Sequence, residues 1–338
     1  MTAKELAKIL GISEASVSYA LNGKPGVSQA TRMLVRDAAE KYGLQFKALD
    51  YGAIFSNRLY FILFKRADIR YVGNTYDNYF YVTLELAITE MAHQYGYKCN
   101  RMTIYSAEEL NSELHAISNL DCAGIIILAT EMMDTDYIPL SFSPVPVILL
   151  DNHFRSTRFS SIYINNFDSA FKITDYLCKK YHSAPGLIIP NKKIVNFTER
   201  EEGFFSALHT NGFSTHTVKK IDISTDLIKG MPQDLDIAVN NGPLARCYFA
   251  VNDHIANAFI ESCSKKGIRI PEDVAVAGFD DMPFSSSSPI GITTMHVPIT
   301  YMGHQAIRTL CEYNQHKEKM TYTSSIKVGT TLLVRKSA

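Results

Sequence analysis

The chain has 338 residues, 46% of them hydrophobic and 20% charged, with 34 basic side chains balanced by 34 acidic ones. A formal charge of zero excludes a partner held by global electrostatics, so any affinity for nucleic acid or a membrane surface must come from a local patch. The length allows two or three domains with separate cores, and no stretch approaches the roughly 20 apolar residues of a membrane span.

Thr2-Ala3-Lys4-Glu5 reads as a capping box, a hydroxyl three residues ahead of a glutamate, so that each side chain satisfies an orphan amide of the other. Leu6, Ile9 and Leu10 then share one face of a first helix. Gly11 ends it at a tight turn. Ser13 is placed to cap a second helix, Glu14 to Leu21, whose inward residues are Val17, Ala20 and Leu21. Glu14, Ala15, Ser16, Ser18 and Tyr19 face outward. That is the arrangement of a helix-turn-helix, whose second helix lies in the major groove with its leading side chains on base edges. Three amphipathic helices of an unrelated domain are the plainer alternative, but the Ala7–Gly11 spacing ahead of Ser13 is tighter than amphipathicity requires. Residues 1–50 carry seven basic side chains against five acidic ones. That surplus is modest for phosphate attraction, so two copies are expected on one site.

From residue 58 the pattern changes. Runs at 59–64, 124–129, 146–150, 186–189, 247–251 and 274–278 read as buried strands, and 79–95, 107–118, 166–181, 199–211 and 253–266 as helices. Short continuous apolar strands separated by helices make doubly wound parallel sheets, and the stretch is about twice what one such sheet requires. Two α/β subdomains are expected. Ligands in such folds bind beyond the carboxyl ends of the strands. The ends here are 65–68, Thr130-Glu131, Asp151-Asn152, Asn252-Asp253 and Asp280-Asp281, several of them carboxylates or amides that can hydrogen-bond a polyol. The six cysteines are scattered without a Cys-x-x-Cys pair, which fits reduced thiols in a cytoplasm better than disulfides or a zinc site. No basic-then-apolar signal segment precedes the first helix. A cytoplasmic location with no metal and no cofactor is expected.

Six segments carry a resemblance together: SVSYALNGKPGVSQATRMLVRDAA (16–39), NYFY (78–81), AGIIIL (123–128), REEGFFSAL (200–208), FAVNDHIA (249–256) and GIRIPEDVAVAGFDDMP (267–283). In this order and spacing the chain resembles the lac/galactose repressor family of bacterial transcription regulators over essentially its full length. The resemblance implies a cytoplasmic homodimer with a three-helix helix-turn-helix head at 1–45, a hinge at 46–57, and a core at 58–338 like the periplasmic sugar-binding proteins. Three crossings would divide the core into roughly 58–162 with 293–323, and 163–292 with 324–338. No heptad segment follows the apparent last strand at 330–334, so tetramerisation through an appended helix is not expected.

Carried over by position, Glu14 and Ala15 stand where the family reads bases; glutamate can accept from cytosine N4, while alanine can only touch a thymine methyl. Ser13, Ser16, Ser18, Asn22, Ser28 and Thr31 match positions that mostly hold phosphates, and capping or turn formation is the structural alternative, equally weighted for Ser13 and Ser28. Tyr19 replaces an arginine that usually reads guanine, which implies an atypical half-site. In the hinge, the leucine that wedges into the minor groove is Ala53 here, or is displaced to Ile54 or Phe55. Gly52 costs about 1 kcal/mol in a helix interior relative to alanine.

For the effector, Arg200 matches the family's arginine for sugar hydroxyls, Asn252 its binding asparagine, Asp280 its binding aspartate, and Asp151 another strand-end acid facing the cleft. An arginine beginning a helix opposes the macrodipole, so Arg200 is the residue least explained by structure alone. Asp280-Asp281 also read as a capped turn before Pro283, which can hold for one of the pair. Tryptophan is absent, so stacking on a sugar would fall to a residue such as Phe80 or Tyr163.

Three rivals stand beside a sugar-responsive regulator. An enzyme would need a nucleophile–base pair, a metal cluster or a phosphate loop, and no Gly-x-Ser-x-Gly, His-Glu-x-x-His or Walker loop is present. A sugar receptor would share the core but not the head. A regulator of the same family could answer instead to a nucleobase, or to a phosphorylated carrier protein on the outer face of the core.

Overall fold

Two parallel sheets carry the core, and the direction of alternate side chains explains how each is covered. The structure, a computed structural model, describes residues 2–22, 27, 31, 34–35, 38–39, 41–42, 57–66, 78–118, 122–143, 145–154, 159–191, 194–225, 230–315 and 323–338. The first sheet contains β1 (Arg58–Phe64), β2 (Lys98–Ile104), β3 (Gly124–Leu128), β4 (Val147–Leu150) and β5 (Ser160–Ile164). The second contains β6 (Gly186–Pro190), β7 (Lys220–Ile223), β8 (Cys247–Ala250) and β9 (Ala275–Ala277), in the order β7-β6-β8-β9. A third, antiparallel pair joins β10 (Thr294–His296) to β12 (Thr331–Leu333), and β11 (Ser325–Val328) completes the first sheet in the order β11-β5-β4-β3-β1-β2.

Side chains alternate across a strand, so one buried strand feeds two cores. Leu59, Phe61 and Leu63 of β1 pack with Leu84, Ile88 and Met91 of the helix Asn78–Gln94 and Met302 of the helix Ile299–Gln315. Tyr60, Ile62 and Phe64 pack instead with Leu110, Leu114 and Ile117 of the helix Ala107–Ser118. In the second sheet, Phe249 meets Phe204 of the helix Val195–Thr210, while the neighbouring Tyr248 meets Phe259 of the helix Asp253–Lys265. Burial on both faces is why these strands read as unbroken apolar runs.

The crossings fall later than expected. β5 extends the first sheet to Ile164, and β11 pairs in parallel with β5, Ser325 opposite Ser161. The stretch 324–328 therefore belongs to the first sheet, not to the second unit in which 324–338 was expected. Likewise β10 is tied to the end of β9 through bridges Ala277–Thr293 and Asp280–His296, so the chain stays with the second unit beyond residue 292. β11 is a short edge strand with Lys327 exposed, which weakens its apolar signal.

In the head, Thr2 Oγ1 accepts from Glu5 N at 3.3 Å and Glu5 Oε2 accepts from Thr2 N at 2.8 Å. The helix Ala3–Leu10 ends at Gly11 with φ 65°, the left-handed conformation that glycine adopts without a Cβ penalty. Leu6 and Ala7 pack with Val17, Ala20 and Leu21 of the helix Glu14–Asn22, and Val35, Ala38 and Ala39 close this small core. Ile9, expected on the inner face, is 50% exposed; Ala7 occupies the contact instead. Among the described residues no helix is long and apolar enough to cross a membrane.

Candidate functional site

Four strand ends from the two sheets converge on one pocket. Thr130 follows β3, Asp151 follows β4, Asn252 follows β8 and Asp280 follows β9, and all four line it with Phe80, Asn196 and Arg200. Asp151 (φ 60°) and Asp280 (φ 101°) have positive φ, a costly conformation for a residue with a Cβ. Strain of that kind concentrates where a side chain must be aimed.

Asp151 is buried. Its Oδ2 accepts from Thr130 Oγ1 at 2.7 Å and its Oδ1 from Asn196 Nδ2 at 3.0 Å. Burial pushes its carboxyl up to about 6, against the opposing pull of the Thr130 hydroxyl, the Arg200 charge and Asn196. Asp280 is also raised by burial, with Arg200 pulling the other way.

The helix carrying Arg200 begins at Val195, so the arginine sits in the second turn and not at the start. The dipole objection to it is therefore weaker than the sequence implied, because the effect falls off within the first turn. Arg200 Nε donates to Asn166 Oδ1 at 2.8 Å and Nη1 to the Val251 carbonyl at 2.7 Å; Nη2 pairs with Asp280 Oδ1 at 3.1 Å. The guanidinium lies 3.6 Å from the centroid of the Phe279 ring, a cation–π contact. Gly203, one turn further along, allows this helix to close on its neighbour Asn166–Tyr181. A Cβ there would collide with the Phe167 carbonyl oxygen.

Asn252 caps the helix Asp253–Lys265, its Oδ1 accepting from Ile255 N at 2.9 Å, so its acceptor is committed while the residue still lines the pocket. Phe80 is half-buried and packs edge-on to Tyr81 at 5.6 Å. Tyr163, the other stacking candidate, stacks on His153 at 4.1 Å and does not line the pocket.

The neighbours of these strand-end residues take structural roles. Asn152 Nδ2 donates to the carbonyls of Ala129 and Met132, and Glu131 Oε2 accepts from Arg66 N at 2.6 Å. Asp253 accepts from Ser285 Oγ, Thr294 Oγ1 and Met282 N, which ties the 280–285 turn to the helix beneath it; burial pushes its carboxyl up to about 7. Asp281 accepts from Arg335 Nη2 at 2.6 Å and pairs with His296 Nδ1 at 2.8 Å. Of the adjacent pair, Asp280 faces the pocket and Asp281 holds the turn. Sequence reasoning missed Asn196 and His254 as lining residues. Asn196 stands four residues before Arg200, hence on the same helical face, and that spacing could have found it.

On the head, Ser13 Oγ accepts from Ser16 N at 3.0 Å, so its capping role is filled. Glu14, Ala15 and Tyr19 are exposed, while Ser16, Ser18 and Thr31 are half-buried. Asn22 is the last residue of its helix. Ser28, and Ala53 with the hinge stretch 46–56, lie outside the described residues.

Residues 174–338 match the family described as periplasmic binding protein-like domain. The chain is 26% identical to the HTH-type transcriptional repressor PurR of Mannheimia succiniciproducens, over 99% of this chain and 98% of that one. Among solved structures, it is similar to a transcriptional regulator CelR–cellobiose complex, with TM-score 0.70 and 22% identity over 100% of both chains. It is also similar to the lac repressor dimer bound to operator and the anti-inducer ONPF, with TM-score 0.69 and 18% identity over 100% of this chain and 98% of that one. Over nearly its whole length the chain is thus similar to transcriptional repressors and regulators of the lac repressor kind. Catabolite control protein A of Priestia megaterium, 23% identical over 96% of this chain and 95% of its own length, is a further relative. Its full-length relatives are transcriptional repressors and regulators, which makes the chain a DNA-binding transcription regulator with a ligand-binding core and not an enzyme.

Proposed function

We propose that this regulator is a cytoplasmic dimeric repressor whose operator affinity is set by a sugar or sugar derivative in the cleft. The observation that carries the reading is the convergence around a single pocket of Thr130 and Asp151 from the first sheet, Asn252 and Asp280 from the second, and Asn196 and Arg200 from the helix Val195–Thr210. Phe80 supplies an aromatic surface for the apolar face of a sugar ring. Two of the similar structures hold cellobiose and ribose. A ligand gripped from both sides favours one closure angle, and it changes DNA binding only through a difference in affinity between closure states. The head, joined to the first sheet through 46–57, presents Glu14 and Ala15 to bases, with Tyr19 beside them. Ser13, Ser16, Ser18, Asn22, Ser28 and Thr31 would meet phosphates, and Ala53 the minor groove.

The test is operator binding by the full chain, followed by fluorescence anisotropy with and without a sugar that stabilises it thermally. The expected result is a sugar-dependent change in affinity for one near-palindromic site. A sugar that stabilises the protein yet leaves DNA affinity unchanged would sink the proposal. Stabilisation by a nucleobase instead, or a response only to a phosphorylated carrier protein, would assign the signal to those partners.

A further inference from the structure

We infer that the floor of the cleft selects an uncharged, hydroxyl-donating saccharide and rejects its phosphate esters. This rests on the cleft being the effector site, and it adds the ligand's charge and hydrogen-bonding polarity.

The floor is rich in acceptors. Asp151 and Asp280 both face it, and each carboxylate offers more lone-pair sites than its recorded partners use: two contacts for Asp151 and one for Asp280. Thr130 and Asn196, which line the same pocket, each spend a donor on Asp151, so less of their donor capacity remains for a ligand. Asn252 is the reverse case: its oxygen is used by Ile255 N. A ligand filling this floor must therefore bring most of the hydrogens itself, as a set of hydroxyl groups does.

The same geometry works against an anion. Among the described lining residues the permanent cation is Arg200, while the His254 ring packs against Phe284 at 4.8 Å. Asp280 already compensates the Arg200 charge at 3.1 Å, and its other recorded N–H bonds go to Asn166 and the Val251 carbonyl. One face of the guanidinium is covered by Phe279. Phosphate recognition draws on unspent, charge-assisted donors. Here two carboxylates oppose one guanidinium in a buried setting, where like-charge repulsion is strongest.

The test is calorimetry of the full-length chain at neutral pH with ribose, glucose, galactose and cellobiose, each monosaccharide beside its phosphate monoester, and adenine and hypoxanthine as the remaining arm. The expected result is binding of at least one free sugar, with its ester about tenfold weaker or worse. In Asp280→Asn the free sugar should bind less tightly, and its advantage over the ester should shrink by about tenfold. Asp151→Asn provides the same comparison if Asp280→Asn does not fold. Esters that bind as well as the free sugars overturn this inference and leave the saccharide reading standing. Binding of a nucleobase alone, or of no member of the panel, overturns both.

Discussion

Asp151 and Asn196 meet across the cleft, Oδ1 to Nδ2 at 3.0 Å, joining the end of β4 in the first sheet to the first turn of a helix on the second. The contact makes the angle between the two units depend on the same side chains that would hold a ligand. Asn196→Ala removes the donor and leaves a buried carboxylate oxygen short of a partner, at a cost of about 1–3 kcal/mol. Urea titration should show that loss, and small-angle scattering a larger radius of gyration. If both stay at wild-type values, the contact does not hold the cleft.

Arg200→Ala should cost more than ligand affinity. It strips the Val251 carbonyl and Asn166 of a donor and leaves the half-buried Asp280 without a counter-ion. Breaking a buried pair from one side costs about 3–5 kcal/mol. Arg200→Lys should recover only part of it, because an ammonium on a single stem cannot reach all three acceptors in one plane. Thermal denaturation of the three proteins measures this, and equal midpoints would refute the pairing scheme.

Asp253 sits near 7 and Asp151 near 6 in the folded chain, both raised by burial above the roughly 4 of an unfolded aspartate. Between those limits the folded state holds protons that the unfolded state has released. Stability is therefore greatest at the acidic end of this window and falls as pH rises through it, levelling off above about 7. Asp253→Asn keeps the shape and removes the largest of these ionisations, so its stability should change less between about pH 5 and about pH 8. Denaturant midpoints at the two pH values give the slope; an unaltered slope contradicts the assignment.

Gly203→Ala should destabilise the core by about 1–3 kcal/mol, since the added methyl meets the Phe167 backbone and cannot be relieved by a side-chain rotation. It should also weaken effector binding by moving Arg200, one turn earlier on the same helix. Gly242→Ala is the matched control, with nothing within 4 Å of the new Cβ. Equal effects from the two substitutions would show that helix spacing is not what Gly203 provides.

Glu14→Ala should relax base preference at one position per half-site, as expected for an exposed side chain at the leading end of its helix. Thr31→Ala, at a position expected to face phosphate, should weaken all sequences alike. Competition binding against an operator library separates the two. Uniform loss from both would mean that Glu14 does not read a base.

Much of the architecture was legible because burial leaves local marks. The helices at 107–118 and 166–181 end where periodicity places them, and β1, β3 and β8 are apolar runs because helices cover both of their faces. β2, β7 and β11 escaped notice: they are edge strands with exposed lysines, and their sequences look like loops. The sequence by itself determined that acids and amides stand at the strand ends, and that a capped helix-turn-helix precedes them. Only the tertiary structure decided which member of each adjacent pair faces the cleft. Asp280 meets Arg200 while Asp281 meets Arg335, and Asp151 meets Asn196 while Asn152 holds the Ala129 and Met132 carbonyls. The physical reason is that positive φ at Asp151, Asp280 and Asp281 aims neighbouring side chains apart, toward partners from 15 to 80 residues distant that no local pattern can name.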